Sequence, residues 1–360
     1  MALDQLLEQA VTRGASDLHL APNNPAMIRV NTRLMPLGEG VLSDTNTENM
    51  ALRILGNDGF IKLQEVGEID TSYRLPGLAN FRVNLYRYQG RIGIAARVIK
   101  TIIPDLEELG LPPVVGSLAR YSSGLILVTG PTGSGKSTTL ASMIDIINRE
   151  RSCHIITLED PIEYSHQSKS SLITQREIGP DSSDFTQALR ASLRQDPDVI
   201  MIGEMRDLET ISTAITAAET GHLVLATLHT INSAQTVERM IDVFPSYQQA
   251  QIRLQLANCL RAVLSQRLLP GIDGERMVVA TELMLCTAGI RNLIRDGKYH
   301  QIPNAIYTGS KFGMITMENS LQSLIDRQLV QSDFLAKENA DLPDWEALTN
   351  TAVPHKRRAK

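Results

Sequence analysis

The sequence has little cysteine. Cys153, Cys259 and Cys286 are its only thiols, odd in number and far apart. They exclude a disulfide framework and a zinc site of paired cysteines, and reduced, buried thiols are expected instead. Long apolar runs are missing too. No membrane-spanning helix is expected, and any membrane role is peripheral. The first residues, Met1-Ala2-Leu3-Asp4-Gln5, hold no basic segment followed by an apolar one, so no signal peptide is expected. Positive charge is not in excess. A net charge of −5 gives no global attraction for nucleic acid. The one basic run is His355-Lys356-Arg357-Arg358-Ala359-Lys360, at the end of a polar tail over 341–360. Internal repeats and low-complexity tracts are also absent.

What is present is an ordinary globular composition, 42% hydrophobic and 21% charged, in a chain of 360 residues. That length is too great for one core, so two domains are expected. Residues 1–100 read as an α/β domain. Leu3, Leu6, Leu7, Ala10 and Val11 form a helical stripe that Gly14 stops. Strands follow. Phe81, Val83 and Leu85 alternate with Arg82, Asn84 and Tyr86, and Ile92, Ile94, Ala96 and Val98 alternate with Arg91, Gly93, Ala95 and Arg97. Alternation puts one face on a core and leaves Arg82 and Arg97 on the free face. Residues 101–115, proline-flanked and acidic, form a linker. The domain at 116–340 changes character. Continuous apolar runs at 125–128, 154–158, 199–202 and 223–228 suit strands buried on both faces, with helical stripes between them. Strands alternating with helices imply a parallel sheet. Beyond Tyr247 the expectation is helical, with one stripe of Ile252, Leu256, Leu260, Val263 and Leu264 and another of Met317, Leu321, Leu324 and Ile325.

One loop carries explicit chemistry. Gly130-Pro131-Thr132-Gly133-Ser134-Gly135-Lys136-Ser137-Thr138 fits G-x-x-x-x-G-K-[ST] and stands between an apolar strand and a helix. The glycines let backbone N–H groups turn inward onto phosphate oxygens. The helix start aims its positive dipole end at the same place. Lys136 supplies a mobile charge to the β- and γ-phosphates, and the Ser137 hydroxyl suits Mg²⁺. ATP and Mg²⁺ are therefore the expected cofactors. The next two strands end in acids: Glu159 with Glu163 close behind, then Glu204. Ligands of open parallel sheets sit at the carboxyl ends of strands. One acid there can orient or deprotonate the attacking water, and another can hold Mg²⁺ through water, with Ser137, Glu204 and Glu159 as the metal set. His222 and His229 flank the following strand. No third ligand accompanies them, so a metal site is not indicated, and either is a candidate γ-phosphate contact.

These residues resemble the ATPases of type II secretion and type IV pili. The match lies in Leu193-Arg194-Gln195-Asp196-Pro197-Asp198 running to Gly203-Glu204-Met205-Arg206-Asp207, in the acidic box Glu159-Asp160-Pro161-Ile162-Glu163-Tyr164, and in the histidine box from Thr220-Gly221-His222 to His229-Thr230. Gly14-Ala15-Ser16-Asp17-Leu18-His19-Leu20 and Gly289-Ile290-Arg291-Asn292-Leu293-Ile294-Arg295-Asp296 resemble the retraction branch, with departures at Gly289 and Asp296. The resemblance implies a PAS-like N-terminal domain joined to a RecA-like ATPase domain with a helical C-terminal region. It also implies a homohexameric ring with Glu204 as the Walker B glutamate and Glu163 as the catalytic one. Arg82 and Arg97 correspond best to arginines that reach the nucleotide from the N-terminal domain. The implied task is pilus retraction in the cytoplasm, at the inner face of the inner membrane, on an inner-membrane platform protein and alongside a second retraction ATPase. The rival readings are an accessory retraction subunit, a pilus assembly or secretion motor, and a DNA-translocating ring. The four-cysteine zinc module of many assembly and secretion members is missing.

Overall fold

The computed structural model describes residues 3–30, 33–76, 78–99, 101–272, 276–332 and 334. The tail expected over 341–360 lies outside them. Two compact units divide the chain, Met1–Pro104 with Ala141–Glu204 and Asp105–Leu140 with Met205–Lys360.

The chain opens with α1 (Leu3–Thr12), β1 (Asp17–Leu20), β2 (Pro25–Val30), β3 (Arg33–Val41) and α2 (Asp44–Val66). It continues with β4 (Glu68–Leu75), β5 (Ala79–Tyr88) and β6 (Arg91–Ile99). The strands form an antiparallel sheet in the order β3-β2-β1-β6-β5-β4. The stripe Leu3, Leu6, Leu7 and Ala10 packs on Phe81, Val83, Leu85 and Ile94 in one core. These apolar residues occupy every second strand position, so the polar ones fall on the other face. There a row crosses five strands in register: Arg29, Asp17, Arg97, Arg82 and Ser72. The alternation expected for Arg82 and Arg97 is what the register gives.

Residues 101–113 contain neither helix nor strand. Then come α3 (Val114–Leu118), β7 (Gly124–Thr129), α4 (Lys136–Glu150), β8 (His154–Glu159), β9 (Leu172–Glu177), α5 (Phe185–Ser192) and β10 (Val199–Ile202). They are followed by α6 (Leu208–Glu219), β11 (Leu223–Leu228), α7 (Ser233–Asp242), α8 (Ser246–Cys259), β12 (Leu260–Pro270) and β13 (Met277–Leu285). The last described helices are α9 (Ala288–Arg295), α10 (Ile302–Thr308) and α11 (Met317–Asp326). The sheet order is β13-β12-β7-β11-β10-β8-β9. β7, β10 and β11 are buried at every residue, which is why their sequences are unbroken apolar runs. Short polar side chains start the helices between strands. Asp184, Asp207 and Asn232 each accept a backbone N–H in the first turn of α5, α6 and α7, worth about 1 kcal/mol per cap.

One expectation needs correction. Leu260, Val263 and Leu264 do not continue the α8 stripe. Helix α8 ends at Cys259, and Leu260 opens β12, which lies parallel to β7 with Leu264 opposite Val128 and Ser265 opposite Thr129. β13 then returns antiparallel on β12. The run 260–264 suits a buried strand as well as a helix stripe, and the neighbouring strand decides. The helical C-terminal region exists, but this hairpin interrupts it. Among the described residues no helix is long and apolar enough to cross a membrane.

Candidate active site

The loop 130–135 leaves the buried end of β7 and enters α4. Three of its glycines have positive φ: Gly130 at 141°, Gly133 at 80° and Gly135 at 92°. Gly130 cannot be replaced, since a Cβ there would lie 2.3 Å from the Gln266 carbonyl and 2.6 Å from Ser134 Oγ. The buried Ser134 hydroxyl has no hydrogen-bond partner. An orphaned buried hydroxyl costs free energy, and here it sits in a curl of backbone at the positive end of a helix. The Lys136 ammonium donates to the loop's own carbonyls, Gly130 O at 2.8 Å and Pro131 O at 2.9 Å. Behind the loop, Gln266 Nε2 donates to Thr139 Oγ1 at 2.9 Å, and the Thr129 and Ser265 hydroxyls lie 2.8 Å apart. This buried polar pairing ties the start of α4 to β12.

His229 follows β11, whose last residue, Leu228, lies opposite Thr129 of β7. The loop and His229 thus leave neighbouring strand ends, and Gly130 N–H donates to the Leu228 carbonyl at 3.3 Å. His222 is separated from them. It precedes β11, at the end where the Gly124 N–H meets its carbonyl, and its ring contacts the Ala217 carbonyl at 2.9 Å. Six strand residues stand between the two histidines, roughly 20 Å at about 3.3 Å per residue. His222 thus stands at the end of β11 away from the loop.

The acids form a second group. Glu159 closes β8, and Gly203-Glu204 follows β10, the parallel neighbour of β8. Gly203 allows the close approach: its N–H donates to the Leu158 carbonyl at 2.7 Å, and a Cβ would stand 3.1 Å from that oxygen. Burial pushes the Glu159 carboxyl up to about 7, against hydrogen bonds from Thr157, Gln175 and the Glu163 N–H that pull it down. The Thr157 hydroxyl donates to Glu159 Oε1 at 2.6 Å and Gln175 Nε2 at 3.1 Å. Glu163 itself is exposed, in a segment with no helix or named strand. Gln175 and Glu177 were not anticipated from the sequence. β9 is polar at every position from Thr174 to Glu177, so no alternation marked them.

Arg82 and Arg97 each face an acid. Arg97 Nε donates to Asp17 Oδ1 at 2.8 Å, and Arg82 Nε is 3.9 Å from Asp70 Oδ1. Burial alone would raise the Asp17 carboxyl, but the Ser16 hydroxyl and the Arg97 guanidinium outweigh it and hold it below the usual carboxylate range.

The family described as Type II/IV secretion system protein matches residues 1–288. The chain belongs to that family. The chain is 44% identical over 344 residues to "Type IV pilus retractation ATPase PilT" of Pseudomonas aeruginosa, with 96% of this chain and 99% of that one covered. It is 39% identical over 337 residues to "Type IV pilus ATPase PilU" of the same organism, covering 93% and 88%. A crystal structure of the pilus retraction motor PilT with bound ADP is similar at a TM-score of 0.87 and 42% identity, covering 97% of this chain and 99% of that one.

Proposed function

We propose that this protein is an ATPase that powers the retraction of type IV pili. The observation that carries the proposal is the phosphate loop: positive-φ glycines, a helix start and an orphaned buried hydroxyl fit a polyphosphate. The likeness to a retraction ATPase over nearly the whole of both chains supports the task.

The roles follow from the chemistry of each group. Residues 130–138 bind the nucleotide. Lys136 exchanges two loop carbonyls for phosphate oxygens, so its charge is compensated before and after binding. Mg²⁺, when bound with the nucleotide, neutralises charge on the phosphate oxygens. The Ser137 hydroxyl would hold it, with Glu204 and Glu159 acting through water, because hard cations take oxygen ligands. Glu163 orients and deprotonates the attacking water, and Glu204 acts as the Walker B acid. His229, at the strand end next to the loop, contacts the γ-phosphate. Arg82 and Arg97 complete the phosphate environment as charge-stabilising arginines, a function worth roughly 10³–10⁵ in rate. Arg97 supports this best, since its side chain is 71% exposed while still held by Asp17.

In this reading residues 1–100 and 116–340 move relative to each other about 101–115 during the ATP cycle. The working unit is a homohexameric ring in the cytoplasm, at the inner-membrane base of the pilus. It acts on an inner-membrane platform protein, and a second retraction ATPase is a further partner.

The test uses the purified full chain. Glu163→Gln and Glu204→Gln are each expected to bind ATP with wild-type affinity and lose hydrolysis. Normal turnover in either variant removes that residue from the chemistry. The likeness to PilU favours a second reading, an accessory retraction subunit. That reading requires almost no turnover by the purified wild-type chain.

A further inference from the structure

Residues 160–166 carry Glu163 without the support of a helix or named strand. Buried or half-buried backbone groups need partners all the same. Side chains of β9 supply several of them, Gln175 two. Its Nε2 donates to the Tyr164 carbonyl at 2.8 Å and to Glu159 Oε1 at 3.1 Å. Its Oε1 accepts from the His166 N–H at 2.8 Å. Two residues along the same strand face, Glu177 Oε2 accepts from the Ile162 N–H at 3.2 Å.

The anchors at 162, 164 and 166 lie on both sides of Glu163. The Glu163 N–H goes to the Glu159 carboxylate, which Gln175 also holds. The Glu163 side chain is exposed, so its location depends on where its backbone is fixed. A primary amide is the one uncharged side-chain group that can donate twice and accept at the same time. Neither a carboxylate nor a hydroxyl could replace all these bonds.

We propose that Gln175 is a positioning residue for hydrolysis, holding the 160–166 segment so that Glu163 meets the attacking water. The inference rests on Glu163 being the catalytic carboxylate. The partners of Gln175 are the Tyr164 carbonyl, the His166 N–H and the Glu159 carboxylate. Its effect passes through the backbone, and misplacing a reacting group by about 1 Å can cost roughly 10²-fold in rate.

Two variants test this in the full chain. Gln175→Met keeps the length and volume and removes every polar bond. Gln175→Glu keeps an acceptor for the His166 N–H and loses the donor to Tyr164. In both, kcat is expected to fall roughly 10–100-fold, as for other residues that orient a catalytic group. KM and the affinity for a non-hydrolysable ATP analogue should stay within about twofold of wild type, because binding is not what Gln175 sets. Gln175→Met added to Glu163→Gln should be no slower than Glu163→Gln alone, since both act at one step.

Wild-type kcat in Gln175→Met overturns the proposal. So does a loss in analogue affinity matching the loss in kcat, which marks a general structural role, or a multiplying loss in the double variant. If Gln175→Met fails to fold, Gln175→Glu decides by the same criteria. If Glu163→Gln itself hydrolyses ATP normally, the assignment of Glu163 fails first, and the role of Gln175 goes with it.

Discussion

At the scale of single residues, Glu159 is a buried and heavily hydrogen-bonded acid. It is 7% exposed, receives three donors and still carries a carboxyl pushed up to about 7, mainly by burial. A carboxyl raised above its ordinary 4.5 binds its proton more tightly in the folded chain than in the unfolded one. Its contribution to stability is therefore complete below pH 4.5 and is lost as pH rises to about 7. The uncharged amide of Glu159→Gln should remove this dependence. Thermal unfolding without nucleotide is expected to show a flatter pH slope over that window for the variant, and greater stability than wild type above it. Equal slopes would mean that burial does not control Glu159. The same scale shows what sequence reading can miss. The phosphate loop was legible because each residue type has its own task at a fixed spacing. Gln175 was not, because a glutamine in a strand has no pattern until the segment it holds is known.

At the scale of elements, α9 offers a test. It is capped by Thr287, whose hydroxyl accepts the Ile290 N–H, and it buries Ile290 and Ile294 completely. Gly289 sits in its first turn. A Cβ there would meet nothing nearer than Thr287 Oγ1 at 3.9 Å. Packing does not require the glycine, and its helical cost remains. Gly289→Ala is expected to stabilise the chain by about 0.5–1 kcal/mol, measured as a rise in the denaturation midpoint with unchanged ATP turnover. A fall in stability would show that Gly289 has a backbone role. The elements also mark the limit of periodicity. The runs 125–128, 199–202 and 223–228 announced strands because sheet neighbours and helices cover both faces. Residues 260–264 have a spacing that suits helix and strand alike. Only β7, more than a hundred positions earlier in the chain, selects the strand.

At the scale of the whole molecule, the two sheets followed from the change from alternating to continuous apolar patterns. The division into compact units at Pro104, Leu140 and Glu204 did not. It depends on which elements pack together, and no local pattern records that. The separation of His222 from the loop has the same origin. The direction of β11 beside β7 fixes it, and strand pairing is not written in either histidine. The central claim joins the chemistry at Glu163 to a mechanical result, so the decisive measurement reads both. Pili on living cells of the native host can be labelled and followed while Glu163→Gln replaces the wild-type chain. The account predicts pili that extend and accumulate but do not retract, with twitching lost. Loss of pili would instead make this a motor of assembly, and normal retraction without hydrolysis would contradict the account altogether.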